Sequence, residues 1–192
     1  MRIGLLFGSY NPVHLGHLII AQHMITQEDM DEVWMVVTPH NPVKKRSNLI
    51  NIYDRIEMVR LAIGEENIKL KASDLEVNLP TPNYTANTLT YLREKHPEKE
   101  FFPIMGSDNL ETLHKWKNYQ SILENHGLLV YPRPGYSNES EILYKEKVQI
   151  THAPMIEISS SQIRKNIREG KSIRYLVPDV VIEFITKGGL YD

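Results

Sequence analysis

Two histidines, His14 and His17, stand three residues apart in the run FGSYNPVHLGH, Phe7 to His17, directly after the apolar segment RIGLLF. Residues at that spacing share one face of a helix, so both imidazoles project from the same side of a first helical turn. Gly8 lets main chain approach a ligand closely, and the helix that follows offers unpaired N–H groups and a positive dipole end to an anion. Imidazoles can donate to phosphate oxygens or share positive charge with them. Phosphate binding is therefore the chemistry this run suggests. A bland reading stays open, in which the rings only satisfy loop carbonyls. A zinc pair is disfavoured because no glutamate sits between the histidines as in H-E-x-x-H. The glycine patterns of dinucleotide-binding oxidoreductases and of P-loops are both missing.

A second candidate lies far along the chain. In ISSSQIR (158–164) the hydroxyls of Ser159, Ser160 and Ser161 fall at a predicted helix start, and Arg164 adds a fixed positive fork for phosphates. The competing reading is a serine N-cap with a solvent arginine. Gly106 and Asp108 follow an apolar strand in MGSD; the aspartate suits ribose hydroxyls, or it caps the next helix. Lys44, Lys45 and Arg46 form a basic run that is ordinarily a solvated loop.

The elements that must position these residues alternate. Strands are expected at 2–7, 32–38, 68–73, 100–106, 127–135 and 147–154, and helices at 15–25, 53–64, 85–96, 107–116, 159–170 and 178–190. Gly64, Gly170 and the Gly188–Gly189 pair stand at helix ends, and Pro178 at a helix start. This order implies an α/β fold: a Rossmann-like three-layer sandwich with a mostly parallel sheet, in which ligands bind beyond the carboxyl ends of the strands. The suspect residues all fall at those ends. A chain of 192 residues fits one domain (1–192), with a C-terminal helical segment at about 159–192. No apolar stretch is long enough to span a bilayer, and the apolar start is too short for a signal-peptide core. With no cysteine, disulfide and cysteine-zinc chemistry are excluded and a cytoplasmic location is expected. A net charge of −2 argues against broad nucleic-acid binding.

FGSYNPVHLGH resembles the H-x-G-H signature of the nucleotidyltransferase α/β superfamily, and ISSSQIR resembles its I-S-S-[TS]-x-I-R motif. Their order, and their separation by most of the chain, strengthen the match. SIRYLVPDVVIEFITKGGLY, MGSDNLETLHKW, NYTANTL and YPRPG further resemble segments of bacterial nicotinate-nucleotide adenylyltransferases. The resemblance implies transfer of AMP from ATP to nicotinate mononucleotide, releasing pyrophosphate in NAD biosynthesis, with Mg2+ carried mainly by the ATP phosphates. It implies catalytic roles for His14, His17 and Arg164. ATP would be bound by Gly8, Ser9, His14, His17, Gly106, Asp108, Ser159, Ser160, Ser161 and Arg164. The acceptor nucleotide would be bound by Ser9, Tyr10, Lys45, Thr85, Trp116 and Arg133. Nicotinamide mononucleotide or phosphopantetheine as acceptor, or a nucleotide sensor without turnover, are the competing readings. No nucleic-acid or membrane partner is implied, and the oligomeric state is open, a homodimer among the options.

Several positions depart from the family pattern. Phe7 replaces a second glycine, Asn11 an aspartate, Lys44 a histidine, Asn87 the aspartate of Y-T-x-D-T, and Lys117 a residue that is often aromatic. These departures bear on the acceptor pocket rather than on His14, His17 or Arg164.

Overall fold

The computed structural model describes residues 1–39, 49–136 and 146–192. Six strands form one sheet in the order β3-β2-β1-β4-β5-β6, every pairing parallel. They are β1 (Arg2–Gly8), β2 (Glu32–Val37), β3 (Leu70–Ser73), β4 (Glu100–Gly106), β5 (Leu128–Tyr131) and β6 (Val148–Ile150). The helices between and after them are α1 (Leu15–Gln27), α2 (Ile52–Ile63), α3 (Thr85–Lys95), α4 (Ser107–Leu110), α5 (Tyr119–Asn125), α6 (Ser160–Arg168) and α7 (Asp179–Gly188).

Successive strand residues face opposite sides, and the core divides accordingly. Leu6, Met35, Ile104 and Leu129 pack on one face with Ile20 and Met24 of α1, Ile56 and Val59 of α2, and Ile163, Val181 and Ile185 of the C-terminal helices. Leu5, Val36, Met105 and Val130 pack on the other face with Leu89 and Leu92 of α3 and with Leu110, Leu113 and Ile122. The expected three layers are present, and the sheet is wholly parallel. C-terminal apolar residues thus share a core with α1, which brings the two ends of the chain together.

The chain runs outward from β1 to β3, returns to the centre, and runs the other way from β4 to β6. The reversal lies between β1 and β4, and the crevice outside their carboxyl ends is where such sheets bind ligands. Gly8 closes β1 and Gly106 closes β4.

Two expectations need correction. The helix expected over 107–116 is the four-residue α4, followed by a 3-10 turn, Leu113–Lys115, and an extended Trp116. The separate helix α5 then starts after Asn118, whose φ of 53° breaks any continuation. Strands β5 and β6 are also shorter than the 127–135 and 147–154 expected. Pro132 and Pro134 follow β5 directly and lack the N–H a ladder needs.

Candidate active site

At the end of β1, His14 caps α1 in extended conformation and His17 occupies the third helical position. The backbone N–H of His14 donates to His17 Nδ1 at 3.2 Å. The rings stack with centroids 3.6 Å apart and planes 23° from parallel. Because Nδ1 of His17 accepts a hydrogen bond, its neutral form carries the proton on Nε2. Gly16 makes the stack possible: a Cβ there would lie 3.0 Å from His14 Nδ1 and 3.3 Å from Ile156 Cγ2. Gly16→Ala is accordingly expected to keep the helix, which alanine favours, while shifting the His14 ring and lowering kcat by about tenfold or more. Steady-state kinetics beside circular dichroism checks this.

His14 is buried, and burial, with Arg133 nearby, lowers its pKa to about 4. It is therefore neutral at pH 7 and meets an anion as a hydrogen-bond donor. The unfolded chain takes up this proton near pH 6.5 and the folded protein only near 4, so acidification across that window favours unfolding. Up to about 3 kcal/mol of stability is expected to be lost there through this one group. Urea unfolding of the wild type and His14→Asn at pH 7 and pH 4 measures it: the wild type should lose more than the variant, and equal losses would contradict the assignment.

His14 and His17 line an open cleft of about 370 Å³ together with Tyr131, Arg133, Pro154 and Ile156. His14 Nδ1 and Arg133 Nε are both buried without a hydrogen-bond partner. Arg133 is held by its own backbone N–H donating to Ser107 Oγ at 2.9 Å, and by its Nη2 donating to the Tyr131 hydroxyl at 3.2 Å. Its Nε lies 3.4 Å from Asp108 Oδ1 as an ion pair. Gly106 makes room for that pair, since a Cβ there would meet Asp108 Oδ1 and stand 2.9 Å from Arg133 Nε. Gly106, not Asp108, caps α4, so the alternative capping role for this aspartate is not the one found. Asp108, expected near ribose, and Arg133, expected near the acceptor phosphate, hold each other.

The C-terminal segment meets the first loop directly. Arg164 Nη1 donates to the Asn11 carbonyl at 2.6 Å and Ser160 Oγ to the Pro12 carbonyl at 2.8 Å. The Tyr191 hydroxyl donates to Asn11 Oδ1 at 3.0 Å, and the Leu15 N–H donates to the Leu176 carbonyl at 2.9 Å. Ser159 caps α6 by accepting from the Gln162 N–H, while Ser161 Oγ accepts from Arg164 Nη2 at 3.3 Å. The three hydroxyls expected to face phosphates thus serve, in order, to cap the helix, tie it to the loop and orient Arg164.

Tyr10 is placed otherwise than expected. Its side chain is buried, with the hydroxyl donating to the Leu6 carbonyl at 2.5 Å and the ring edge-on to His17 at 4.9 Å. It packs against the His17 ring from inside the protein. Gly8 has a matching reason, because a Cβ there would lie 2.8 Å from the Tyr10 ring. Thr85 opens α3, and Trp116 is half-buried against the same core face. Lys117 bridges their neighbourhoods, its ammonium 4.7 Å from the Tyr84 ring centre. Asn87 is exposed. Lys45, with Lys44, lies outside the described residues.

Sequence reasoning missed Arg55, Glu76 and Tyr191. Arg55 is 1% exposed and Glu76 is 1% exposed. Burial raises the Glu76 pKa, while the Thr88 and Thr38 hydroxyls hydrogen-bond to its carboxyl. The signal for Arg55 and Glu76 is faint, a charged residue at an inward position of an otherwise apolar pattern.

The sequence pattern of the cytidylyltransferase-like family matches residues 5–166. The chain belongs to the cytidylyltransferase-like family. Within it, a probable nicotinate-nucleotide adenylyltransferase of Flavobacterium johnsoniae is 53% identical over 192 residues, covering 100% of this chain and 99% of its own. The corresponding Bacteroides fragilis protein is 41% identical, covering 96% and 90%. A solved Plasmodium falciparum nicotinic acid mononucleotide adenylyltransferase, complexed with NaAD, has a TM-score of 0.82 at 22% identity, over 100% of this chain and 97% of its own. That likeness is one of fold. Family membership makes the chain a nucleotidyltransferase, and His14, Gly16 and His17 of the H-x-G-H run and Ile158 of ISSSQIR line the cleft. Among the described residues, no helix is long and apolar enough to cross a membrane.

Proposed function

We propose that the protein transfers the adenylyl group of ATP to nicotinate mononucleotide. The observation that carries this reading is the convergence at one cleft: His14, His17 and Arg133 line it, two of their nitrogens are buried without a hydrogen-bond partner, and Arg164 grips the adjoining loop. The named relatives support the choice of acceptor.

An oxygen of the acceptor phosphate forms a bond to the α-phosphorus of ATP while the bond from that phosphorus to the bridging oxygen breaks, and pyrophosphate leaves with the electron pair. ATP enters as its magnesium complex, the ion travelling with the phosphates. Such a transfer asks a protein for alignment and charge stabilisation. The two stacked imidazoles donate to phosphate oxygens, the proton on Nε2 of His17 being the one directed away from the His14 backbone. Each donor is worth a few kcal/mol where charge develops. Arg133 and Arg164 supply fixed positive charge. Thr85 and Trp116 serve the pyridine ring, by main-chain donors and by stacking. We place this activity in one domain, in the cytoplasm.

ATP labelled at the α-phosphorus tests the reading in parallel reactions with nicotinate mononucleotide, nicotinamide mononucleotide and phosphopantetheine. The label is expected in a dinucleotide, formed fastest with nicotinate mononucleotide. Another preferred acceptor would move the assignment, and ATP binding with no labelled product under any acceptor would leave a nucleotide-binding protein without turnover.

A further inference from the structure

Arg55 sits on the inward face of α2 and is the largest of the fully buried side chains. Its Nη1 donates to the Ser9 carbonyl at 2.6 Å and to the Thr38 carbonyl at 2.8 Å. Its Nη2 donates to the Pro39 carbonyl at 3.0 Å, and its Nε to the Ile50 carbonyl at 3.3 Å. Four main-chain oxygens from three segments thus converge on one guanidinium, with no described carboxylate within ion-pair distance, 4.0 Å. Burying an unneutralised cation is costly, and an apolar side chain would fill the same core without that cost. A planar fork that ties several carbonyls together is what arginine alone supplies.

The segments it joins belong to the two halves of the site. Ser9 lies in the loop that runs from β1 to His14. Thr38 and Pro39 follow β2, and Thr38 is linked onward: its hydroxyl hydrogen-bonds to the Glu76 carboxyl, whose Oε1 accepts from Thr88 at 2.8 Å. Thr88 belongs to α3, which Thr85 opens. The Thr38 N–H also donates to the Gly8 carbonyl at 2.9 Å, so the two segments are zipped side by side above Arg55.

We propose that Arg55 is a positioning residue that fixes the ATP loop and the acceptor segment in register with each other, so that both nucleotides lose binding and alignment when it is replaced. The proposal rests on the adenylyl-transfer reading above. Its field adds to the positive potential at the crevice, but the main effect is geometric.

The test is the kinetics of Arg55→Lys and Arg55→Met, with KM for ATP and for nicotinate mononucleotide, kcat per folded enzyme, and Tm measured on each. Lysine keeps the charge and loses the fork, so in Arg55→Lys both KM values are expected to rise together, by about tenfold, with kcat falling by at least as much. Arg55→Met should be worse on all three. A residue that merely stabilises the fold would lower Tm and leave both KM values of the folded enzyme unchanged. Should Arg55→Met fail to fold, Arg55→Lys decides alone. Both KM values within twofold of wild type in Arg55→Lys overturns the proposal, as does a rise confined to one substrate. Wild-type turnover in the same assay separates the two readings: an inactive wild type removes the adenylyl-transfer assignment, whereas an active wild type with an unperturbed Arg55→Lys removes only this one.

Discussion

His17→Ala is expected to lower kcat by about 10²–10³-fold, the scale seen when a preorganised donor is taken from a transition-state oxyanion. The KM values should change far less, because a donor aimed at the transition state gains most where charge develops, not in the ground state. The fold should survive. His17 is only half-buried, and its contacts inside the protein include a hydrogen bond accepted from the His14 N–H and ring contacts with His14 and Tyr10. The loss of stability is expected near 1 kcal/mol, as for a single net hydrogen bond. Pyrophosphate release under saturating substrates gives kcat, and urea unfolding gives the stability. Unchanged turnover would take His17 out of the mechanism, while collapse of the fold would show that its ring is structural.

Arg164→Ala is expected to reduce kcat/KM for ATP by about 10²-fold, a loss on the scale of a charge-assisted contact together with misplacement of a loop. The guanidinium both reaches the Asn11 carbonyl and stands at the start of α6, where the helix end is itself positive. Removing it takes a positive charge from beside the first loop and leaves the Asn11 carbonyl, in a buried residue, without that donor. Arg164→Lys should fall between, since it restores charge without the fork. The effect should be weighted towards ATP, with KM for the acceptor moving less, and this split distinguishes Arg164 from Arg55, whose loss moves both. Steady-state kinetics with each substrate varied in turn checks it.

The alternation of apolar and helical patterns made the parallel sheet legible, because buried parallel strands leave short, strongly apolar runs such as RIGLLF and EVWMVV that little else produces. The sites at the ends of β1 and β4 followed from glycine and polar residues placed just past those runs. Details that depend on which way a side chain turns were not legible. Tyr10 reads as a loop residue available to ligand, yet a φ of 45° turns it inward under Gly8. The serines of ISSSQIR read as phosphate donors, and the hydrogen bonds they make within the protein, to the Gln162 N–H, to Arg164 and, through the approach of the two chain ends, to the Pro12 carbonyl, were not legible. Arg55 was invisible for the same reason, since the carbonyls that satisfy it come from residues 5 to 46 positions away. The departures fall into place locally: Asn11 accepts from Tyr191 and from the Ile50 N–H, Lys117 covers Tyr84, and Phe7 packs on the core face that also holds Trp116.

The central claim is that the two distant motifs surround one triphosphate. Titrating ATP into protein carrying 15N-labelled histidine, with the ring signals of His14 and His17 assigned by single substitution, tests it most directly. Both imidazoles should shift with one dissociation constant, and Arg164→Ala should raise that same constant. A saturating ATP titration that moves neither ring, or that moves both with a constant indifferent to Arg164→Ala, would contradict the account.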